Sequence, residues 1–207
     1  MKGVMVRLAG SLLGVFAFWV VLWLPLVLVE TSAAEPGEQI LGNPNAPVTL
    51  IEYASLTCPH CAQFHTEVLP DLKERYIATG KVRMIYRDFP LDERALMAAA
   101  LAHCAGPDRY FGFLDVLFQT QSSWAGAEDY LGALKKLGKL GGMSDEQMDK
   151  CLADDELTNR ILQTRLEGQN EHHVSSTPTL VINGEVYAGS RSIEALSEVI
   201  EPLLENS

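Results

Sequence analysis

The sequence predicts an α/β fold in which an all-helical block interrupts a sheet-forming frame. Three observations carry this. Residues 48–89 read as strand, helix, strand. Residues 91–170 place apolar side chains on helical spacing and show no strand pattern. Strand patterns then return over 177–189, and an amphipathic helix over 192–204 closes the chain.

The chain has 207 residues, 47% hydrophobic and 21% charged, an ordinary globular composition apart from its start. Lys2 and Arg7 precede an uncharged apolar stretch over residues 8–29, and Ser32 and Ala34 stand at the −3 and −1 positions of a cleavage site after Ala34. Residues 1–34 therefore read as a secretory signal peptide. The apolar stretch is also long enough to span a bilayer, so an uncleaved N-terminal membrane anchor is the alternative. A buried core helix is a poor reading, because the stretch has no polar face. Either way, the residues that follow lie across a membrane. The formal charge of −11 offers nothing to neutralise phosphates, so nucleic acid is excluded as a partner.

"AAEPGEQILGNPNAPV", 33–48, is rich in turn formers and reads as a leader with a short first strand. "VTLIEYA", 48–54, is β-branched and apolar, suited to a buried strand. Phe64, Val68, Leu72 and Tyr76 then recur every four residues on one helix face. Pro59 suits the first helical turn, where no amide donor is needed; Pro70 falls inside and should kink the helix. "VRMIYRDF", 82–89, completes a βαβ unit with parallel strands. Four or five helices are expected over 91–170, with Ser144 and Gln147 at capping-box spacing. Asn183-Gly184 between apolar runs signals a two-residue hairpin, and Ser192 is a suitable N-cap for the last helix.

With the helical block removed, βαβ is followed by ββα, with Cys58-Pro59-His60-Cys61 at the first helix start. That order is thioredoxin-like. The expected organisation is a thioredoxin-like fold with an inserted all-helical domain: residues 35–90 and 171–207 form the frame, and 91–170 the insertion.

Three chemistries compete for Cys58 and Cys61. A zinc site needs about four ligands. His60, His65, His172 and His173 could supplement the pair, but their spacing fits no finger motif. A purely structural disulfide would close so small a loop that it stabilises little. Redox exchange accounts for the residue types directly. Cys58 should precede the first helical turn, where unpaired N–H groups and the helix dipole favour a thiolate. His60, when protonated, adds positive charge there. Cys61 lies within the helix and should be the less exposed, resolving sulfur. An acidic Cys58 is a good leaving group, so its disulfide is readily reduced and the protein acts as an oxidant. A more ordinary thiol would make it a reductant. In thioredoxin-like folds the bond corresponding to Thr177-Pro178 is cis and lies beside the dithiol, where the Thr177 backbone can meet an extended substrate.

"VTLIEYASLTCPHCAQFH", with "RDFPLD", the helical insertion and "STPTLVINGEVYAG", resembles the DsbA family of periplasmic thiol:disulfide oxidases over residues 39–207. Pro59-His60 is the most diagnostic piece, since thioredoxin-type reductants usually carry Gly-Pro there. Members of this family are reference cases of an acidic cysteine and an oxidising disulfide. The resemblance implies oxidation of unfolded exported proteins with reduced cysteines, reoxidation by a DsbB-like quinone-linked membrane partner, a periplasmic location, and no cofactor or bound metal. It assigns Cys58 and Cys61 to the redox-active pair, Pro178 to the cis-proline, and Glu52 to an acidic residue beneath the pair that would relay a proton to or from Cys61. Thr177 stands where the best-known oxidase member has Val, and threonine occurs there in other oxidases and in isomerases. Cys104 and Cys151 differ from that member's closely spaced second pair and resemble a subgroup with a disulfide bridging two helices.

Two other readings stay open. A disulfide isomerase or reductase of this kind usually carries a dimerisation segment before the thioredoxin part. Only about 15 residues separate Ala34 from Val48, too few for a domain, so a monomer is expected. A non-enzymatic copper- or metal-binding protein would use the same cysteines with nearby histidines.

Overall fold

A computed structural model describes residues 38–206. The signal peptide or anchor expected over residues 1–34 lies outside the described residues. Among the described residues, no helix is long and apolar enough to cross a membrane.

Strand β2 (Val48–Ala54) is buried along its whole length, as its apolar, β-branched sequence leads one to expect of a central strand. It runs parallel to β3 (Val82–Asp88), with Glu52 opposite Tyr86, and antiparallel to β4 (Thr179–Ile182). β1 (Gln39–Leu41) adds antiparallel to β3, and β5 (Glu185–Tyr187) antiparallel to β4, giving the order β1-β3-β2-β4-β5. The β4–β5 turn is Asn183-Gly184, both at positive φ (47° and 89°), as a two-residue hairpin of this type requires. Asn183 also ties the turn to the central strand, its side-chain oxygen accepting from the Thr49 N–H at 2.8 Å.

Between β2 and β3 the chain is helical from 59 to 77, but not uniformly. α1 (Pro59–Gln63) passes into a π-helical turn (Phe64–Val68), then α2 (Leu69–Leu72), then a second π-helical turn (Lys73–Ile77). The Leu69 N–H reaches back five residues to the Phe64 carbonyl. Pro70 has no N–H to offer the carbonyl four residues before it, so the sequence disturbance appears as a change of hydrogen-bond register.

Six helices lie between β3 and β4: α3 (Glu93–Cys104), α4 (Tyr110–Gln119), α5 (Gln121–Trp124), α6 (Tyr130–Leu140), α7 (Asp145–Leu152) and α8 (Asp155–Glu171). One more is present than the four or five expected, the four-residue α5. Asp92, Asp129, Ser144 and Asp154 cap α3, α6, α7 and α8 through their side chains. The capping box at Ser144 is only half made: the Gln147 side chain donates instead to the Cys104 carbonyl at 3.0 Å. α9 (Ile193–Glu205) closes the chain with Ser192 as its N-cap.

Alternation along β2 sorts the layers. Val48 and Leu50, with Met84, Leu180 and Ile182, pack against Phe64, Leu72 and Ile77 of the 59–77 helix and Leu196 and Ile200 of α9. Ile51 and Tyr53 join Ile85 and Val181 in a second cluster on the other face. There α8 comes close because residue 168 is glycine: a Cβ would stand 2.6 Å from the Tyr53 ring. The helical block has its own core, built on α3, α4 and Trp124, and this core includes Cys58 and Cys61. The two cysteines thus sit where the frame meets the insertion.

Candidate active site

Cys58 is the N-cap of α1, in extended conformation (φ −79°, ψ 120°), with Pro59 at the first helical position. Pro59 and His60 are exposed. Cys58 is 6% exposed and Cys61 fully buried. Neither is in a disulfide. Thr177-Pro178 is a cis peptide, and Cys58 Sγ lies 3.3 Å from the Thr177 carbonyl, to which the thiol form donates. The Thr177 hydroxyl is buried and unpaired while Cys58 is a thiol; toward the Cys58 thiolate it is a donor.

The two thiols titrate in opposite directions. The hydrogen bond from Cys61 is the main cause that brings Cys58 down; it outweighs desolvation, which opposes it. The Thr177 side chain and the backbone N–H groups of Cys61 and His60 add to the lowering, and Cys58 settles at about 5. His60 therefore contributes through its backbone. Burial pushes Cys61 far up, reinforced by the hydrogen bond to Cys58 and by the charge on Glu52. At neutral pH one sulfur is an anion and its neighbour a thiol.

Glu52 points from β2 toward the 59–77 helix and is fully buried. Its Oε2 meets His65 Nε2 at 2.9 Å. His65 is itself buried, stacked on Phe118 at 4.0 Å, and its Nδ1 lies 3.9 Å from Asp115 on α4. Asp115 pairs with Lys73 at 2.7 Å. Gln121 of α5 also reaches in: its amide donates to the carbonyls of Leu56 (2.8 Å) and Cys58 (3.0 Å), bracing the turn before α1.

His65, Asp115 and Gln121 were not among the site residues expected from sequence, where His65 figured only as a supplementary metal ligand. A signal for His65 existed: it follows Cys61 by four residues, one turn along the same helix face. Asp115 and Gln121 carry no local signal, since only the docking of the insertion brings them near. The four histidines weighed for a metal do not converge. His60 is exposed, His65 bonds Glu52, and His172 packs on Tyr53 at 5.8 Å. Among the described residues no group of three or more His, Cys, Asp or Glu is placed to hold a metal ion. Cys104 at the end of α3 and Cys151 of α7 form a disulfide, with Cα atoms 6.2 Å apart.

Two features, an acidic cysteine heading a helix and a cis-proline strand beside it, define a thioredoxin-fold dithiol protein. The family model described as thioredoxin matches residues 34–202. The crystal structure of Wolbachia pipientis alpha-DsbA1 superposes with a TM-score of 0.79 at 32% identity, covering 86% of this chain and 96% of that one. A protein-disulfide isomerase from Novosphingobium aromaticivorans superposes at 0.72 with 27% identity, covering 81% and 97%. A provisionally named protein-disulfide oxidoreductase of Rickettsia felis is 34% identical over 176 residues, 84% of this chain. This chain spans 63% of that protein's length. The chain belongs to the thioredoxin family, among its DsbA-like members.

Proposed function

We propose that the chain is a thiol:disulfide oxidase that donates the Cys58–Cys61 disulfide to exported proteins while they fold. The observation that carries this reading is the inequality of the two thiols, one held at about 5 and the other pushed far up. A substrate thiolate attacks Cys58 Sγ, the Cys58–Cys61 bond breaks, and its electron pair goes to Cys61, which takes up a proton. A second substrate thiolate attacks the substrate sulfur of the mixed disulfide. Cys58 leaves as a stabilised thiolate, and the substrate carries away a disulfide. A good leaving group at Cys58 makes both the donor and its release fast.

The surroundings suit these steps. The Thr177 backbone lies beside Cys58, where an extended chain entering a mixed disulfide would run. A cleft of about 310 Å³ is lined by His60, Gln63, Phe64, Glu67 and Arg191; it reaches the motif only at His60. Glu52 passes a proton to or from Cys61 in this reading, which the influence of its charge on the Cys61 titration supports. In this reading residues 1–34 deliver the chain to the periplasm, cleaved or retained as an anchor, and 91–170 are the inserted helical domain. A DsbB-like membrane protein restores the disulfide, the protein works as a monomer, and Cys104–Cys151 is structural.

The test is the equilibrium of the Cys58–Cys61 pair with glutathione. The oxidase reading expects a potential well above that of thioredoxin, about −270 mV; a value near thioredoxin's overturns it. A second reading, disulfide isomerase, draws on the similarity to the Novosphingobium isomerase and on Thr177. A stable dimer in solution that rescues scrambled substrates would establish it instead.

A further inference from the structure

We propose that His65 and Asp115 are positioning residues that carry protons between bulk water and Glu52, and so set the protonation of Cys61 in each half-reaction. The inference rests on the dithiol-exchange reading and deepens it.

The need arises from burial. Cys61 has no exposed surface, and neither has Glu52. Each time the Cys58–Cys61 bond opens, the sulfur of Cys61 must gain a proton; each time it closes, Cys61 must lose one. Burial pushes its thiol far above the ordinary range, so an unprotonated Cys61 is costly. Neither residue touches water, so the proton must travel through the protein.

Among the described residues, a line of polar side chains runs from Glu52 to the surface. Glu52 Oε2 meets His65 Nε2 at 2.9 Å. On the far side of the ring, His65 Nδ1 stands 3.9 Å from Asp115 Oδ1, one small side-chain adjustment from a hydrogen bond. The Asp115 side chain is 31% exposed and is held by Lys73, itself 31% exposed, at 2.7 Å. Two atoms along this line are buried without a hydrogen-bond partner: Glu52 Oε1 and His65 Nδ1. Unpaired buried polar atoms are costly and uncommon, and here they leave Glu52 and His65 each with an unused hydrogen-bonding position. An imidazole is suited to the middle position, because it can accept a proton at Nδ1 while releasing another from Nε2.

The groups facing His65 come from several elements. Glu52 faces it from β2, Asp115 and Phe118 from α4, and the Tyr86 ring from β3 in an edge contact at 5.9 Å. Phe64 precedes it, its ring 6.0 Å away. Burial alone would drive His65 toward the neutral form. The two carboxylates outweigh it, and the net direction is upward. Stacking on Phe118 and the edge of Tyr86 leaves the ring little room to leave this line.

In the oxidising direction, the substrate sulfur bonds to Cys58, the old S–S bond breaks toward Cys61, and Cys61 receives a proton through Glu52. His65 replaces that proton at Nδ1 by way of Asp115, whose carboxyl is held below its ordinary range by His65 and Lys73 and so carries a proton from bulk water only in passing. On reoxidation the Cys61 thiol returns its proton along the same line before its sulfur closes onto Cys58.

The experiment follows a single turnover of oxidised protein with a reduced cysteine peptide by rapid quench and mass spectrometry. It is run from pH 5.5 to 8.5 in H2O and D2O, for wild type, His65→Gln and Asp115→Asn. Positioned acid–base groups contribute rate factors of ~10² or more, and water can partly replace a relay, so His65→Gln is expected to slow the turnover at least about tenfold. Asp115→Asn should slow it less, and both should enlarge the solvent isotope effect and change the pH profile. If His65→Gln fails to fold, Asp115→Asn, at a partly exposed position, carries the test. Rates within twofold of wild type at every pH, with an unchanged isotope effect, overturn the relay. Alkylation of Cys58 against pH, measured in parallel, separates the two claims. A wild type without an acidic Cys58 sinks the oxidase reading, whereas an acidic Cys58 with indifferent variants sinks only the relay.

Discussion

The molecule holds two pairs of cysteines, and they sit in opposite circumstances. Cys58 and Cys61 are three residues apart at the head of one helix, unbonded, one sulfur slightly exposed and acidic, the other sealed. Cys104 and Cys151 are separated by 47 positions and link α3 to α7 inside the helical block. The first loop is so short that closing it removes little freedom from the unfolded chain; the second removes a great deal. A bond that contributes little to stability can be opened and closed at little structural cost, whereas one that holds two helices together cannot. The chemistry of sulfur is the same in both places. Loop length and surroundings decide which pair can exchange.

The comparison breaks most sharply at Cys58. Cys58→Ser should bring thiol:disulfide exchange with a reduced peptide down to the uncatalysed level, while Cys104→Ala/Cys151→Ala should leave the exchange rate within about twofold of wild type. That double variant should instead lose about 4 kcal/mol of stability in urea unfolding, the loop-entropy value for this separation. Equal losses of exchange in both variants would erase the distinction between the pairs.

The pH dependence of stability sharpens it further. In the folded reduced protein Cys58 is held at about 5, against about 8.5 for an unfolded thiol. Between these values the unfolded chain binds the extra proton, so stability rises with pH across that window and is lost as pH falls through 5. Above about 8.5 the unfolded chain also ionises Cys61, which the folded state keeps protonated, and the slope reverses. The Cys58–Cys61 disulfide has neither titration. Urea unfolding of reduced minus oxidised protein, from pH 4 to 9.5, should give a curve that rises and then falls.

Two smaller effects test what surrounds Cys58. Thr177→Val removes a side chain that favours the thiolate. A hydrogen bond to a charged group contributes about 1.5–3 kcal/mol, so the Cys58 titration followed by thiolate absorbance should move up by about one to two units. Gln121→Leu leaves the Leu56 carbonyl without its Gln121 donor. It should cost about 1–3 kcal/mol in urea unfolding with little change in the Cys58 titration.

Much of this arrangement is legible in the sequence, for identifiable reasons. β2 falls on its expected residues because a central buried strand must be apolar on both faces, and "VTLIEYA" is apolar at nearly every position. The hairpin at Asn183-Gly184 is legible because few other residue pairs tolerate two positive φ angles. The π-helical turns are not, because Pro70 announces a disturbance without saying how the backbone will absorb it. Nor is α5 legible: four residues are too few for periodicity to register. At the site, Cys58, Cys61 and Pro178 are local in their signal. Asp115 and Gln121 come from helices whose own pattern concerns only their packing, and their approach to the cysteines is a matter of how distant segments dock.

The amide of Gln121 has a further consequence for anyone who would simplify this protein. The carbonyl ahead of α1 accepts from a side chain some sixty positions downstream, and Trp124 and Phe118 pack in one core with both cysteines. Excising the α3–α8 segment to leave a miniature scaffold would strip the reactive turn of its far wall and open Cys61 to water. A graft of the four-residue motif alone onto another frame would carry the letters of the site without the enclosure that makes its two thiols unequal.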